Sequence, residues 1–157
     1  MPASTRSTKC PFQMAVESTE EVKTGYRPGL HAIKKSDRNK VNAMHTNKIQ
    51  GSLDIDTQVQ AIYPNKNRWD YVLSYNNRLY FFEIHSAETS EVKIVIDKIN
   101  WLKYWLKVKA SNINALPKAE HPYIWIQSGR YAILPGSKEM MKLSIAGITT
   151  TNRLNLK

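Results

Sequence analysis

The chain has 157 residues, 41% of them apolar and 23% charged, which fits one globular domain whose core needs no staples. Its single cysteine, Cys10, excludes an internal disulfide, and no run approaches the roughly 18 apolar residues of a membrane span. Lys and Arg total 23 against 13 acidic residues, a net +10 at neutral pH, and an excess of that size attracts polyanions, nucleic acid first among them.

Residues 1–13 contain Pro2 and Pro11 and lack apolar periodicity, so they read as a disordered leader to a single domain over 14–157. Residues 1–9 also lack the apolar stretch of a secretory signal, which points to the cytoplasm. From Met14 to about Lys40 the pattern is helical but interrupted. Ser18 ahead of Glu20 and Glu21 favours a helix start, Pro28-Gly29 breaks the run, and Leu30 and Ile33 carry a second short helix. Two basic groups stand out, Lys34, Lys35, Arg38 and Lys40, then Lys103, Lys107 and Lys109.

Strand signals follow. Over 52–63, Leu53, Ile55, Thr57, Val59 and Ala61 alternate with Asp54, Asp56, Gln58 and Gln60, a period of two that predicts a half-buried strand. Pro64-Asn65-Lys66-Asn67 is turn chemistry. Residues 68–75 and 78–86 are rich in aromatic and β-branched side chains, divided by Asn76-Asn77. Asparagine tolerates left-handed backbone, so the pair predicts a two-residue hairpin turn with Tyr75 facing Arg78. The second strand has apolar residues on both faces and is expected to be central.

Thr89 or Ser90 can cap a long helix to about Lys109, with Val92, Val95, Ile96, Ile99, Leu102 and Leu106 forming its apolar face. Trp101 and Trp105, four apart on that helix, read as core or oligomer contacts. Residues 123–127 predict another strand, with 131–134 continuing it, and a short helix over 138–146 precedes a polar tail. The expected fold is α/β, a mixed central sheet flanked by helices in the order helix, three antiparallel strands, helix, strand, helix.

The hairpin register carries the chemistry, because it sets Asp70 directly opposite Glu83. Like charges so placed destabilise a sheet, and with Trp69, Tyr71, Phe82 and Ile84 around them they need a shared proton or a cation. A divalent ion such as Mg²⁺ or Mn²⁺ held by Asp70 and Glu83 is the economical answer. His85 points to the same face, two residues on.

Asp70 in Arg68-Trp69-Asp70-Tyr71, and Glu83-Ile84-His85 on the next strand, resemble the PD-(D/E)XK nuclease-like superfamily. There an acidic residue on one strand is followed by Glu-X-Lys on the next, then a helix and a further strand. The resemblance covers about residues 50–130. It implies a restriction-endonuclease-like core and metal-dependent phosphodiester hydrolysis of nucleic acid, with Asp70, Glu83 and His85 as catalytic residues and Asp70 and Glu83 as metal ligands. Trp69 replaces the motif proline, and His85 replaces the lysine that orients the attacking water. A histidine there could act as general base or further ligand, or Lys93 could reach in from the next helix. Without either, the same fold would be a non-catalytic nucleic-acid-binding or protein-interaction module.

Other readings stand beside these. Arg68 or Arg78 could pair with the two acids as an ordinary sheet surface. Asp54 and Asp56 fall on the opposite face from them, as solvated residues. Glu17, Glu20 or Glu21 could add a first-helix acid, and His31, His45 and His121 read as surface or packing residues.

Overall fold

The computed structural model describes residues 8–129 and 133–157. Helix α1 (Pro11–Glu17) begins earlier than expected. The Cys10 sulfur caps it by accepting the Gln13 N–H at 3.4 Å, and Pro11 opens the helix where a missing N–H costs nothing. Ser18 ends this helix instead of starting one, and Glu20–Val22 adds a single 3-10 turn. The expected leader therefore loses residues 11–13 to α1, whose Phe12 is buried in the core, while residues 1–7 lie outside the described ones. The second short helix does not form. Turns and a 3-10 segment, Arg38–Lys40, lead instead to the short strand β1 (Val41–Ala43).

Strand β2 (Ile49–Asp54) stops well before Tyr63. Asp54 ends it by accepting the Thr57 N–H at 2.9 Å and the Thr57 hydroxyl at 2.8 Å, which caps the short helix α2 (Ile55–Val59). Ile55 and Val59 are both fully buried, and their four-residue spacing serves one face of a helix as well as one side of a strand. The alternation was compatible with both periods, and the cap decided between them.

The hairpin is as the two asparagines require. Strands β3 (Tyr71–Tyr75) and β4 (Arg78–Ser86) are antiparallel, with Tyr75 facing Arg78 and Tyr71 facing Phe82. Asn76 and Asn77 have φ of 50° and 61°, the left-handed pair of a type I′ turn. β2 joins the other edge of β3, with Asp54 opposite Tyr71.

The long helix α3 (Val92–Val108) follows a 3-10 turn, Thr89–Glu91, and carries no side-chain cap bond from Thr89 or Ser90. It crosses to β5 (Lys118–Ser128), which runs parallel to β4, after the one-turn helix α4 (Ser111–Asn114). Of the expected extension over 131–134, residues 131 and 132 lie outside the described ones, and Ile133 and Leu134 are not in a strand. Helix α5 (Lys138–Ile145) then leads to β6 (Ile148–Thr151), parallel to β5. The tail is not merely polar, since Leu154 and Leu156 bury one side of β7 (Leu154–Leu156), which pairs with β1.

The result is a mixed five-stranded sheet, β2-β3-β4-β5-β6, with helices packed against it. On one face Val72, Leu79, Phe81 and Trp125 meet Val95, Ile99, Leu102 and Leu106 of α3, with Phe12 and Val16 of α1. On the other, Tyr71, Leu73, Phe82, Ile124 and Ile126 are covered by Ile33 and by the β1–β7 ribbon. β4 has a neighbour on each side and cover on both faces, which is why its apolar residues do not alternate. No helix among the described residues is long and apolar enough to cross a membrane.

Candidate functional site

The last backbone pair of the hairpin is Tyr71 with Phe82, and immediately beyond it the side chains of Asp70 and Glu83 take over the bonding. Glu83 Oε1 accepts the Asp70 N–H at 3.0 Å, and Asp70 Oδ2 accepts the Ile84 N–H at 3.1 Å. Each carboxylate thus fastens the opposite strand, and two backbone donors that would otherwise be stranded are satisfied. Arg68 takes no part. Its guanidinium bonds Asp56 at 2.7 Å and the Tyr63 carbonyl at 2.6 Å.

A cation reaches the two acids from α3. Lys98 Nζ lies 2.5 Å from Glu83 Oε2 and 3.9 Å from Asp70 Oδ1. Val95 and Leu102, three residues before and four after, are fully buried, so Lys98 sits on the apolar stripe of the helix, aimed at the sheet. A lysine at a core-facing position was the available signal. Lys93 is exposed and lines a different cleft, with Thr89, Glu139 and Lys142.

Burial dominates the electrostatics. The Glu83 side chain is 0% exposed, Lys98 15% and Asp70 22%. Burial, then the nearby Asp70 charge, push the Glu83 carboxyl well above the usual range against the pull of Lys98. Asp70 is raised by burial as well, with Lys98 and the Ile84 amide opposing. Burial acts to lower Lys98, but Glu83 and Asp70 outweigh it and hold the ammonium above its ordinary value. One base faces two acids in a largely dry site, which favours retention of a proton by the pair, and Asp70 provides its solvent side.

His85 stands on the same face but not in the cluster. Its Nε2 lies 2.8 Å from Glu91 Oε2, and an ionised Glu91 makes that nitrogen the donor, leaving Nδ1 as the acceptor. The neighbouring strand carries a residue that the sequence did not single out, Gln127, paired in register with His85. It is 2% exposed, and neither its carboxamide oxygen nor its nitrogen has a hydrogen-bond partner. Among the described residues, only the Trp101 indole N–H shares that condition. Nothing in the pattern around 123–127 distinguishes a buried polar end from an exposed one.

The other acids go elsewhere. Glu17 pairs with Lys9, Glu20 with Lys23, and Glu21 accepts from the Tyr63 hydroxyl at 2.8 Å and the Trp105 indole at 3.0 Å. Asp54 is the α2 cap. Asp56 is no solvated residue on the far face, since it holds Arg68 and its charge acts on both Asp70 and Lys98. The early end of β2 brings it round. His31, His45 and His121 are exposed.

Among the described residues no group of three or more His, Cys, Asp or Glu side chains is placed to hold a metal ion. The donor set is two carboxylates, Glu83 already receiving the Asp70 N–H and Lys98, and Asp70 the Ile84 N–H. That set suits a hard cation that keeps most of its own waters, as Mg²⁺ does, and suits a closed structural metal site poorly. Comparison with family models, with curated proteins and with solved structures finds no match.

Proposed function

We propose that the chain is a metal-dependent phosphodiesterase acting on nucleic acid through a PD-(D/E)XK-like site in which Lys98 supplies the lysine. The single observation behind this reading is the Asp70–Glu83–Lys98 cluster: two opposed carboxylates on a hairpin with an ammonium 2.5 Å from Glu83. The order of α1, the β2–β3–β4 antiparallel meander, α3 and the parallel β5 supports the restriction-endonuclease-like core, and the +10 charge supports a polyanionic substrate. Asp70 and Glu83 would hold the cation. When bound, Mg²⁺ or Mn²⁺ there supplies a lowered water pKa and neutralises charge on the phosphate. Lys98 orients the attacking water and offsets phosphate charge, and His85, steadied by Glu91, accepts a proton at Nδ1.

The test is cleavage of labelled single- and double-stranded DNA and RNA with Mg²⁺ or Mn²⁺. Asp70→Asn, Glu83→Gln and Lys98→Met should each abolish it, while His85→Ala should cost about 10²–10⁴-fold, the usual worth of a general base. A wild-type chain inert on all substrates, with no melting shift on adding either ion, sinks the hydrolase reading. One observation favours the second reading, a nucleic-acid-binding module on the same fold. Lys98 already neutralises much of the acidic pair, so the charges are balanced without a metal. That module would bind nucleic acid equally well in EDTA and never cleave it.

A further inference from the structure

A cleft of about 560 Å³ is lined by Tyr63, Asn65, Lys66, Asn67, Asp97, Trp101 and Tyr104. Its position relative to the cluster follows from the chain. Asp97, Trp101 and Tyr104 recur at helical spacing on one stripe of α3, and Lys98 lies on the flank of that stripe, about 100° round from Asp97. On the opposite wall, Asn67 precedes Arg68, whose guanidinium is tied to Asp56, the acid whose charge reaches Asp70 and Lys98.

The lining has a consistent chemistry. Trp101 is only 8% exposed, packed in parallel on Trp105 at 5.8 Å and edge-on to Tyr63 at 5.5 Å, yet its indole N–H has no acceptor. A buried N–H without a partner is destabilising, and Trp101 itself belongs to the wall of this cleft. Tyr104 leaves 54% of its surface open. Glu21 anchors the Tyr63 and Trp105 ends of the aromatic group, so the platform is held rigid from behind. The exposed turn 65–67 contributes two amides and one ammonium.

We infer that this cleft is a nucleobase subsite, and that the substrate of the neighbouring site is a single-stranded or locally opened nucleic acid with one base unstacked into it. The inference rests on the phosphodiesterase reading for the backbone that the base belongs to. Tyr104 offers the stacking face. Asn65, Asn67 and Asp97 meet the edge of the base, with amides able to donate and accept and the carboxylate accepting from exocyclic amines. Lys66 faces the adjoining phosphate. Stacking is available to any base that is out of a helix and to none within one, so the cleft discriminates against intact duplex. Trp101 and Trp105 are thus not equivalent, Trp105 being core and Trp101 forming the wall of the subsite.

The experiment is fluorescence anisotropy of the full chain in EDTA, where no cleavage competes, with a labelled single strand and with the same sequence as a duplex. The single strand should bind more tightly. Tyr104→Ala, an exposed position that leaves the core intact, should weaken single-strand binding about tenfold, the worth of one stacked base, and leave duplex binding unchanged. Trp101→Phe keeps a ring and removes the N–H, and should weaken it less. Single-strand affinity indifferent to Tyr104→Ala, or an equal loss for both substrates, overturns the subsite even if the chain cleaves. Tyr104-dependent single-strand binding in a chain that never cleaves instead removes the hydrolase reading and leaves the subsite standing. Absence of any nucleic-acid binding at low salt overturns the subsite.

Discussion

At the scale of single residues, the buried cluster makes stability depend on pH in a direction that can be worked out. Asp70 and Glu83 both titrate above the ordinary carboxyl values of 3.8 and 4.5, so the folded chain keeps protons that the unfolded chain has released. Stability therefore falls as pH rises through the window that opens at those values. Lys98 is raised as well, so its contribution persists up to the ordinary value of 10.5 and is lost above it. Urea denaturation as a function of pH should show both declines. Lys98→Met strands two buried acids without their counter-charge and should cost about 3–5 kcal/mol near neutral pH. The penalty should shrink on acidification, because the acids then fold as neutral groups; equal penalties at pH 5 and pH 8, in chemical denaturation, would contradict this. Gln127→Met keeps the length of the side chain and removes a carboxamide with no partner. Apo stability should hold or rise by about 1 kcal/mol, read as an unchanged or higher melting temperature.

Among the elements, the β3–β4 hairpin positions the site, since its two-residue turn alone determines which acid faces which. Asn76 at φ 50° is tolerated because a short polar side chain supports left-handed backbone. A β-branched residue there does not, and Asn76→Val should cost about 1–2 kcal/mol. It should also loosen the register that sets Asp70 against Glu83, so hydrogen exchange of the Ile84 amide, bonded to Asp70, should speed up more than that of core amides in α3. Gln50 holds the turn from the side, its carboxamide oxygen accepting the Asn77 N–H at 2.9 Å and the Ser74 hydroxyl at 2.7 Å. The hairpin was legible because both of its signals are local: a turn dipeptide and two β-rich runs of matched length. The boundary of β2 was not. Ile55 and Val59 satisfy a strand and a helix alike, and only the Asp54 cap with its Thr57 donors separates them.

For the whole molecule, charge and shape act together. The +10 excess should make nucleic-acid affinity fall steeply with salt, since each phosphate neutralised on duplex releases counterion with a log–log slope of about −0.9 per contact. Anisotropy titrations over a range of salt concentrations provide the slope; affinity indifferent to salt would mean that the basic surface takes no part. The sheet offers the acidic cluster on the α3 side only, because the other face is closed by Ile33 and the β1–β7 ribbon. Access to the cluster is therefore from the α3 side, past the 64–67 turn, where Lys66 is exposed.

The sequence by itself determined the mixed α/β class, the hairpin and its register, the long amphipathic helix and the opposition of Asp70 to Glu83. Each of these is written in contacts between near neighbours in the chain, where periodicity and turn chemistry act directly. It also implied that the two acids need a cation. The crossover of α3 over the sheet carries Lys98 across fifteen residues of chain onto Glu83; its core-facing position on the helix was legible, but not which strand residues it would meet. The same crossover, with the early end of β2, brought Asp56 and Arg68 beside the site and left Gln127 buried without a partner. These are long-range juxtapositions, decided by how apolar faces pack and not by the residues that ride on them.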